Sequence, residues 1–172
     1  MGEDHPVPIP PFLADLRKLV GTRPLWLASA HGVVVSAAGD ILLSLRSDDQ
    51  EWSLPGGILE PGEEPADAVV RECQEEAGVL VAPERLTLVD VSPTFSYPSG
   101  DQCQYIDIVF LCRLVKGTAV VNDEESDCVQ WFQRGNLPPL SEYIRRQIGL
   151  SLAGGGPATF VVHGQDRPLS KP

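Results

Sequence analysis

The segment from Gly56 to Val79 constrains the fold more than any other part of the sequence. Pro65 suits the first turn of a helix, and Gly78 suits the left-handed residue that ends one. The apolar residues between them recur at helical spacing and form one narrow stripe of small side chains: Ala66, Val69, Val70, Cys73 and Ala77. This pattern predicts a helix over residues 65–77 that packs closely against another layer of the protein.

The same segment carries seven carboxylates and one arginine in 24 residues. Glu75 and Glu76 follow Glu72 by three and four positions, so the three residues share one side of the helix, away from the apolar stripe. Such like-charge neighbours destabilise an isolated helix by about 0.2–0.5 kcal/mol per pair. They form either a solvated acidic face or a set of oxygen donors for a cation such as Mg²⁺. The preceding Gly56-Gly57 pair and Arg71 favour the cation site, because a solvated face requires neither.

These residues resemble the Nudix box, G-x5-E-x7-R-E-U-x-E-E-x-G-U, in which U is a bulky aliphatic residue. The matching positions are Gly57, Glu63, Arg71, Glu72, Glu75, Glu76, Gly78 and Val79. Cys73 departs from the pattern, and because cysteine acts as a small hydrophobe we expect looser packing there and unchanged chemistry. The flanking "WSLPGG" and the later "VQWF" and "LPPL" extend the resemblance over about Leu25 to Leu140.

The resemblance implies an α/β fold, the Nudix-type α/β/α sandwich with a mixed sheet between helices. It also implies hydrolysis of a phosphoric anhydride: the pyrophosphate bond of a nucleoside diphosphate linked to another moiety X. Mg²⁺ is the implied cofactor, with Mn²⁺ as an alternative, and the implied partner is a small-molecule nucleotide. The candidate substrates are dinucleoside polyphosphates, nucleoside triphosphates, ADP-ribose and nucleotide sugars.

Roles for individual residues also follow from the resemblance. Glu75 and Glu76 correspond to the principal metal ligands, Glu72 to a ligand or the general base, and Gly57 or Gly56 to a carbonyl ligand. Arg71 and Glu63 correspond to a pair that orients those ligands. Several family members add an acid from outside the box, and Glu124 or Glu125 in "NDEESD" is the candidate here. That run also reads as a simple polar turn.

Three further residues are candidates for contacts with the substrate. Arg46 either binds phosphate or is a solvated charge at the end of a strand. Phe95 and Tyr97 either stack on a nucleobase or are plain hairpin residues. Tyr97 follows Val79 by eighteen residues, which resembles a tyrosine of diadenosine-polyphosphate hydrolases.

Two other functions occur on the same fold. A nucleotide-sensing domain that binds without hydrolysis usually loses glutamates of the box, and none is lost here. An isoprenoid diphosphate isomerase needs a further catalytic cysteine and glutamate, and Cys103 and Cys128 offer no such context. Hydrolysis is therefore the leading hypothesis.

Composition restricts the partners and the compartment. The formal net charge of −11 and a pI near 4.6 disfavour nucleic acid and anionic membranes. No run of eighteen apolar residues and no secretory signal are present, so no membrane association is expected. The cysteines, which lie far apart, are expected to be free thiols in a reducing cytoplasm: Cys73, Cys103, Cys112 and Cys128.

We expect three parts along the chain: an arm with a short helix over 1–22, the Nudix domain over 23–153 and a tail over 154–172. Within the domain, Gly39-Asp40 predicts a hairpin turn and Gln104–Val115 predicts a central strand. Pro138-Pro139 predicts the start of a last helix. The tail contains "ATFVV", one edge strand that either packs on its own chain or pairs across a homodimer.

Overall fold

The computed structural model describes residues 9–97 and 99–162, together with the backbone of residues 165–168. Residues 1–8 of the predicted arm and the last residues of the tail lie outside these ranges. The helices are α1 (Pro11–Val20), α2 (Pro65–Ala77) and α3 (Glu142–Leu152). The strands are β1 (Leu25–Val35), β2 (Ile41–Arg46), β3 (Trp52–Ser53), β4 (Gly56–Ile58), β5 (Leu80–Val91), β6 (Phe95–Ser96), β7 (Gln102–Lys116), β8 (Ser126–Phe132), β9 (Thr159–Val162) and β10 (Gln165–Pro168).

The strands form one mixed sheet in the order β10-β9-β5-β7-β1-β2-β3. The pairs β1–β7 and β5–β9 are parallel, and the remaining neighbours are antiparallel. Strand β4 pairs with β1, β6 with β7 and β8 with β2. The predicted hairpin joins β1 to β2, and β7 is central as expected, because it is paired along its length on both sides.

Helices α2 and α3 cover opposite faces of the sheet. Helix α2 packs its buried Val69 and Cys73 against Ala30, Val34 and Leu42. Helix α3 packs Ile148 against a second buried cluster: Val33, Ile41, Leu43, Leu88 and Val109. This arrangement of two helical layers around a mixed sheet confirms the predicted α/β architecture.

Helix α2 lies close to the sheet because its inward side chains are small. A Cβ added to Gly32 of β1 would be 3.0 Å from Val69 Cγ1, so the two backbones approach at a glycine. The helix ends at Gly78, whose φ of 66° and ψ of 18° are left-handed. Both bounds agree with the prediction from Pro65 and Gly78.

Three local predictions differ from the structure. Helix α3 begins at Glu142 rather than at Pro138-Pro139, because the Ser141 hydroxyl accepts a hydrogen bond from the Ile144 amide at 3.3 Å and caps it. The alternation in "ERLTLVDVS" predicts a strand from Glu84, whereas β5 begins at Leu80, because Leu80 to Ala82 already pair with β7. Strand β9 is flanked by β5 and β10, so it is not an edge strand, and it pairs with its own chain. The division at residues 22 and 153 stays a prediction.

The cysteines are free thiols as predicted, three of them buried. Among the residues whose placement is described, no helix has the length and apolar character to cross a membrane.

Candidate active site

The two glycines of β4 bring the sheet against the acidic side of α2. A Cβ on Gly57 would lie 2.3 Å from Glu72 Oε1, so this carboxylate rests against the bare backbone of β4. Gly56 has a φ of 153°, and a Cβ there would lie 2.3 Å from the Ala30 carbonyl oxygen. Only glycine allows this approach at both positions.

Glu76 points from the same helix into the protein and is 7% exposed. Its carboxylate accepts hydrogen bonds from the Gly56 amide at 3.0 Å and the Ser44 hydroxyl at 3.2 Å. Burial raises the pKa of Glu76 to about 8, with further contributions from Glu72, Asp123 and Glu125 and opposition from the Gly56 N–H. Among the residues that the structure describes, no cationic side chain is close enough to Glu76 to offset its burial.

Arg71 organises the remaining glutamates of the box. It donates two hydrogen bonds to Glu63, at 2.8 and 2.9 Å, and one each to Glu72 at 2.8 Å and Glu75 at 3.0 Å. The hydrogen bonds from Arg71 lower the pKa of Glu63, whereas burial raises the pKa of Glu72 despite the nearby Arg71. One guanidinium therefore sets the orientation of three carboxylates.

The loop before β8 supplies a further acid. The Asn122 amide donates to the Glu76 carbonyl oxygen at 3.1 Å, and the Ser47 amide donates to that of Glu125 at 2.9 Å. The loop is thereby held between the end of α2 and the end of β2. Glu125 is half-buried whereas Glu124 is exposed. Burial raises the pKa of Glu125 to about 7, and the neighbouring Asp123 and Glu72 raise it further.

Of the predicted substrate residues, Arg46 lies beside this acidic group, whereas Tyr97 and Phe95 lie next to Tyr105. Arg46 is paired with Asp48 and is near enough to Glu125 to oppose the rise in the pKa of that acid. Arg46 also lowers the pKa of Tyr97, against the larger effect of burial. The Tyr97 hydroxyl is 2.9 Å from that of Tyr105, while Phe95 is 41% exposed with its ring 5.9 Å from the Tyr105 ring.

A second polar group lies on the α3 face, and sequence reasoning missed it. Asp107 of β7 is 4% exposed and accepts hydrogen bonds from the hydroxyls of Ser29 and Tyr143 and, at 3.3 Å, from Gln147 Nε2. The His31 ring approaches with Nε2 at 3.7 Å. Burial would raise the pKa of Asp107, but the contacts with His31, Ser29 and Tyr143 lower it to about 2. In the sequence, the alternation of polar and apolar residues in "QYIDIV" could have indicated that Asp107 lies on one face of a buried strand.

The donor set fits a hard divalent cation. Glu72, Glu76 and Glu125 offer carboxylate oxygens near one another, and Gly57 lies against the Glu72 carboxylate. In the described part of the chain, no three His, Cys, Asp or Glu side chains are already arranged around a metal position. Two carboxylates of the box, Glu72 and Glu75, are hydrogen-bonded to Arg71 in this arrangement.

Comparison with known proteins identifies the family. The family model described as NUDIX domain matches residues 26–149. The chain belongs to the Nudix family. A MutT-like protein of Streptomyces ambofaciens is 33% identical over 135 residues, which are 78% of this chain and 82% of that protein. An ADP-ribose pyrophosphatase of Methanocaldococcus jannaschii is 35% identical over 68% of this chain and 69% of its own length.

Solved structures agree with this family assignment. An ADP-ribose pyrophosphatase from Streptococcus suis superposes with a TM-score of 0.58 at 27% identity, covering 74% of this chain and 90% of that one. The Nudix fold is thus shown by both sequence and structure, and the protein is a hydrolase of phosphoric anhydride bonds.

Proposed function

We propose that the protein hydrolyses the pyrophosphate bond of a nucleoside diphosphate linked to a moiety X, with Mg²⁺ as cofactor and Mn²⁺ as an alternative. The observation that carries this proposal is the convergence of Glu72, Glu76 and Glu125 at the Gly57 edge of the sheet. Glu72 and Glu125 raise the pKa of Glu76, and Glu72 raises that of Glu125, so this crowding is unfavourable unless a cation joins the carboxylates.

The roles assigned to the chain's residues follow their positions. Glu72, Glu75, Glu76 and the Gly57 carbonyl would hold the cation, together with Glu125. When bound, the cation would polarise the phosphoryl group and lower the pKa of water. Glu72 would act either as a ligand or as the general base, and burial raises its pKa, which suits a base.

Arg71 and Glu63 would act on the reaction indirectly. Their paired hydrogen bonds fix the guanidinium, which in turn limits the conformations open to Glu72 and Glu75. When the cation binds, Glu72 and Glu75 would leave Arg71 and bind the cation instead.

Arg46, Phe95 and Tyr97 would bind the nucleotide. Arg46 offers positive charge beside the acids, which suits phosphate, and the two aromatic rings suit a nucleobase. The names of two relatives make ADP-ribose the first compound to test. We also propose a cytoplasmic location, based on four free thiols; a homodimer stays a prediction for sedimentation analysis.

A substrate panel tests the proposed function. ADP-ribose, a dinucleoside polyphosphate, nucleoside triphosphates and a nucleotide sugar are each incubated with Mg²⁺, with Mn²⁺ and with a chelator. We expect release of a nucleoside monophosphate from at least one compound with metal and none with the chelator. Metal-independent release, or tight nucleotide binding without turnover under either metal, would contradict the proposal.

A further inference from the structure

Helix α1 precedes residue 26, where the match to the Nudix family begins, yet it contacts the segment that carries Tyr97. The contact is made by the side chain of Arg17, which is 10% exposed. Leu13, one turn earlier, is 3% exposed and anchors the helix. An element outside the family domain therefore contacts the region assigned to substrate binding.

The Arg17 guanidinium donates hydrogen bonds both to the β6–β7 segment and to the residues that follow α1. On the β6–β7 side it meets the Asp101 carboxylate at 3.2 Å, the Gln102 carbonyl oxygen at 3.1 Å and Cys103 Sγ at 3.1 Å. On the helix side it donates to the carbonyl oxygens of Gly21 at 3.0 Å and Arg23 at 2.7 Å. Lysine has neither the planar shape nor the number of donors for this set of acceptors.

The segment held by Arg17 is the one that positions Tyr97. The Tyr97 amide donates to the Asp101 carbonyl oxygen, and the Gly100 amide donates to that of Tyr97, each at 2.9 Å. Phe95 pairs with Cys103 across β6 and β7. Thr22, just after α1, lies 3.7 Å from the position of a Cβ on Gly100. Both aromatic residues proposed to bind the nucleotide thus depend on backbone that Arg17 contacts.

We infer that α1 is a substrate-affinity element and that Arg17 is a positioning residue, which acts on the nucleotide by holding Tyr97 and Phe95 in place. This inference rests on the proposed substrate role of Tyr97. Loss of Arg17 would let the turn sample other conformations, so nucleotide binding would bear an ordering cost that the unmodified protein avoids. The carboxylates of α2 are not contacted by Arg17, so the rate of the bound complex would change little.

The test compares Arg17→Met with Lys18→Met, because Lys18 is an exposed residue of the same helix turn that pairs only with Asp15 among the interactions described. Hydrogen–deuterium exchange of a peptide over 95–103 measures the turn, and kinetics on the best panel substrate measure the consequence. We expect faster exchange and a KM about tenfold higher in Arg17→Met, with kcat within about twofold, and no change in Lys18→Met. Arg17→Lys should recover only part of the affinity.

A mutant cycle in a background that lacks both positioned rings, Phe95→Ala with Tyr97→Ala, separates positioning from general destabilisation. Arg17→Met should raise KM less than about twofold in that background, because both groups it positions are gone. The inference would be overturned if the increases in KM from the separate changes multiplied fully when combined. Unchanged amide hydrogen exchange over residues 95–103 in Arg17→Met would also overturn it. If Arg17→Met does not fold, Arg17→Lys carries the same comparison with smaller effects. If the unmodified protein hydrolyses nothing, the proposed function fails, while exchange and the dissociation constant of ADP still decide the role of Arg17.

Discussion

Two buried carboxylates lie on opposite faces of the same sheet, and their surroundings differ. Asp107, on the α3 face, is surrounded by donors from Ser29, Tyr143 and Gln147 and by the His31 ring, and its pKa falls to about 2. Glu76, on the α2 face, has two neutral donors and three acidic neighbours, and its pKa rises to about 8. Hydrogen bonds within the protein offset the burial of Asp107, whereas the two hydrogen bonds to Glu76 do not offset its burial. We therefore propose that the chemistry lies on the α2 face and that the Asp107 group supports the fold.

The largest expected effect comes from Glu76→Gln, which keeps the shape and the bond from the Gly56 amide but removes the charge. Loss of a charged metal ligand should lower kcat/KM about 10³-fold, equal to about 4 kcal/mol of transition-state stabilisation. Steady-state kinetics on the best panel substrate measure this loss. Glu124→Gln, at an exposed acid of the neighbouring loop, is the control and should stay within about twofold. A Glu76→Gln enzyme within tenfold of the unmodified one would remove the assignment of chemistry to the α2 face.

A smaller effect is expected from Arg71→Gln, because Arg71 orients the carboxylates without contacting the substrate in this proposal. Loss of such an orienting group should lower kcat/KM about 10–100-fold and weaken Mg²⁺ binding in calorimetric titration. Arg71→Lys should recover little, since one ammonium cannot reproduce the paired bonds to Glu63. Arg113→Gln, which breaks an exposed pair with Glu84, is the matched control. Equal losses of kcat/KM in Arg71→Gln and Arg113→Gln would show that Arg71 contributes only through its ion pairs and does not orient the metal ligands.

The two faces also differ in how far the sequence predicts them. The α2 face comes largely from one segment of 24 residues, in which helical spacing alone places Glu72, Glu75 and Glu76 together. The Asp107 group joins residues 78 and 36 positions away, Ser29 and Tyr143, whose meeting depends on the parallel pairing of β1 with β7 and on where α3 lands. Sequence periodicity carries no information about such pairings.

The choice between Glu124 and Glu125 shows the same limit on a smaller scale. The acidic run left both open, because charge and composition do not distinguish neighbouring residues of a loop. Bonds from Asn122 to the end of α2 and from Ser47 to Glu125 set the loop, and Glu125 turns inward as a result. The bounds of α2, in contrast, were predictable because Pro65 and Gly78 act on the local backbone.

The smallest expected effect is on stability, and its sign should be opposite on the two faces. In metal-free protein the folded pKa of Glu76, about 8, lies above its usual 4.5, so the folded state binds more protons between these values. Stability should therefore fall as the pH rises from about 4.5 to 8. For Asp107 the folded pKa of about 2 lies below its usual 3.8, so its contribution is present above pH 3.8 and is lost as the pH falls to 2.

Thermal unfolding in chelator from pH 2 to 9 covers both windows and measures both signs. Glu76→Gln should raise Tm most at pH 8–9 and flatten the profile, although Glu72, Asp123 and Glu125 leave a residual slope. Asp107→Asn should lower the free energy of unfolding by about 1–3 kcal/mol at pH 7, because an amide presents donors to the hydroxyls of Ser29 and Tyr143. Each kcal/mol corresponds to roughly 2–4 °C of Tm.

Saturating Mg²⁺ should raise the Tm of the unmodified protein more at pH 8 than at pH 6, and should leave the Tm of Glu76→Gln nearly unchanged. If Tm changed with pH in the same way in Glu76→Gln and Asp107→Asn, both carboxylates would be satisfied within the protein. The distinction between the two faces would then be lost.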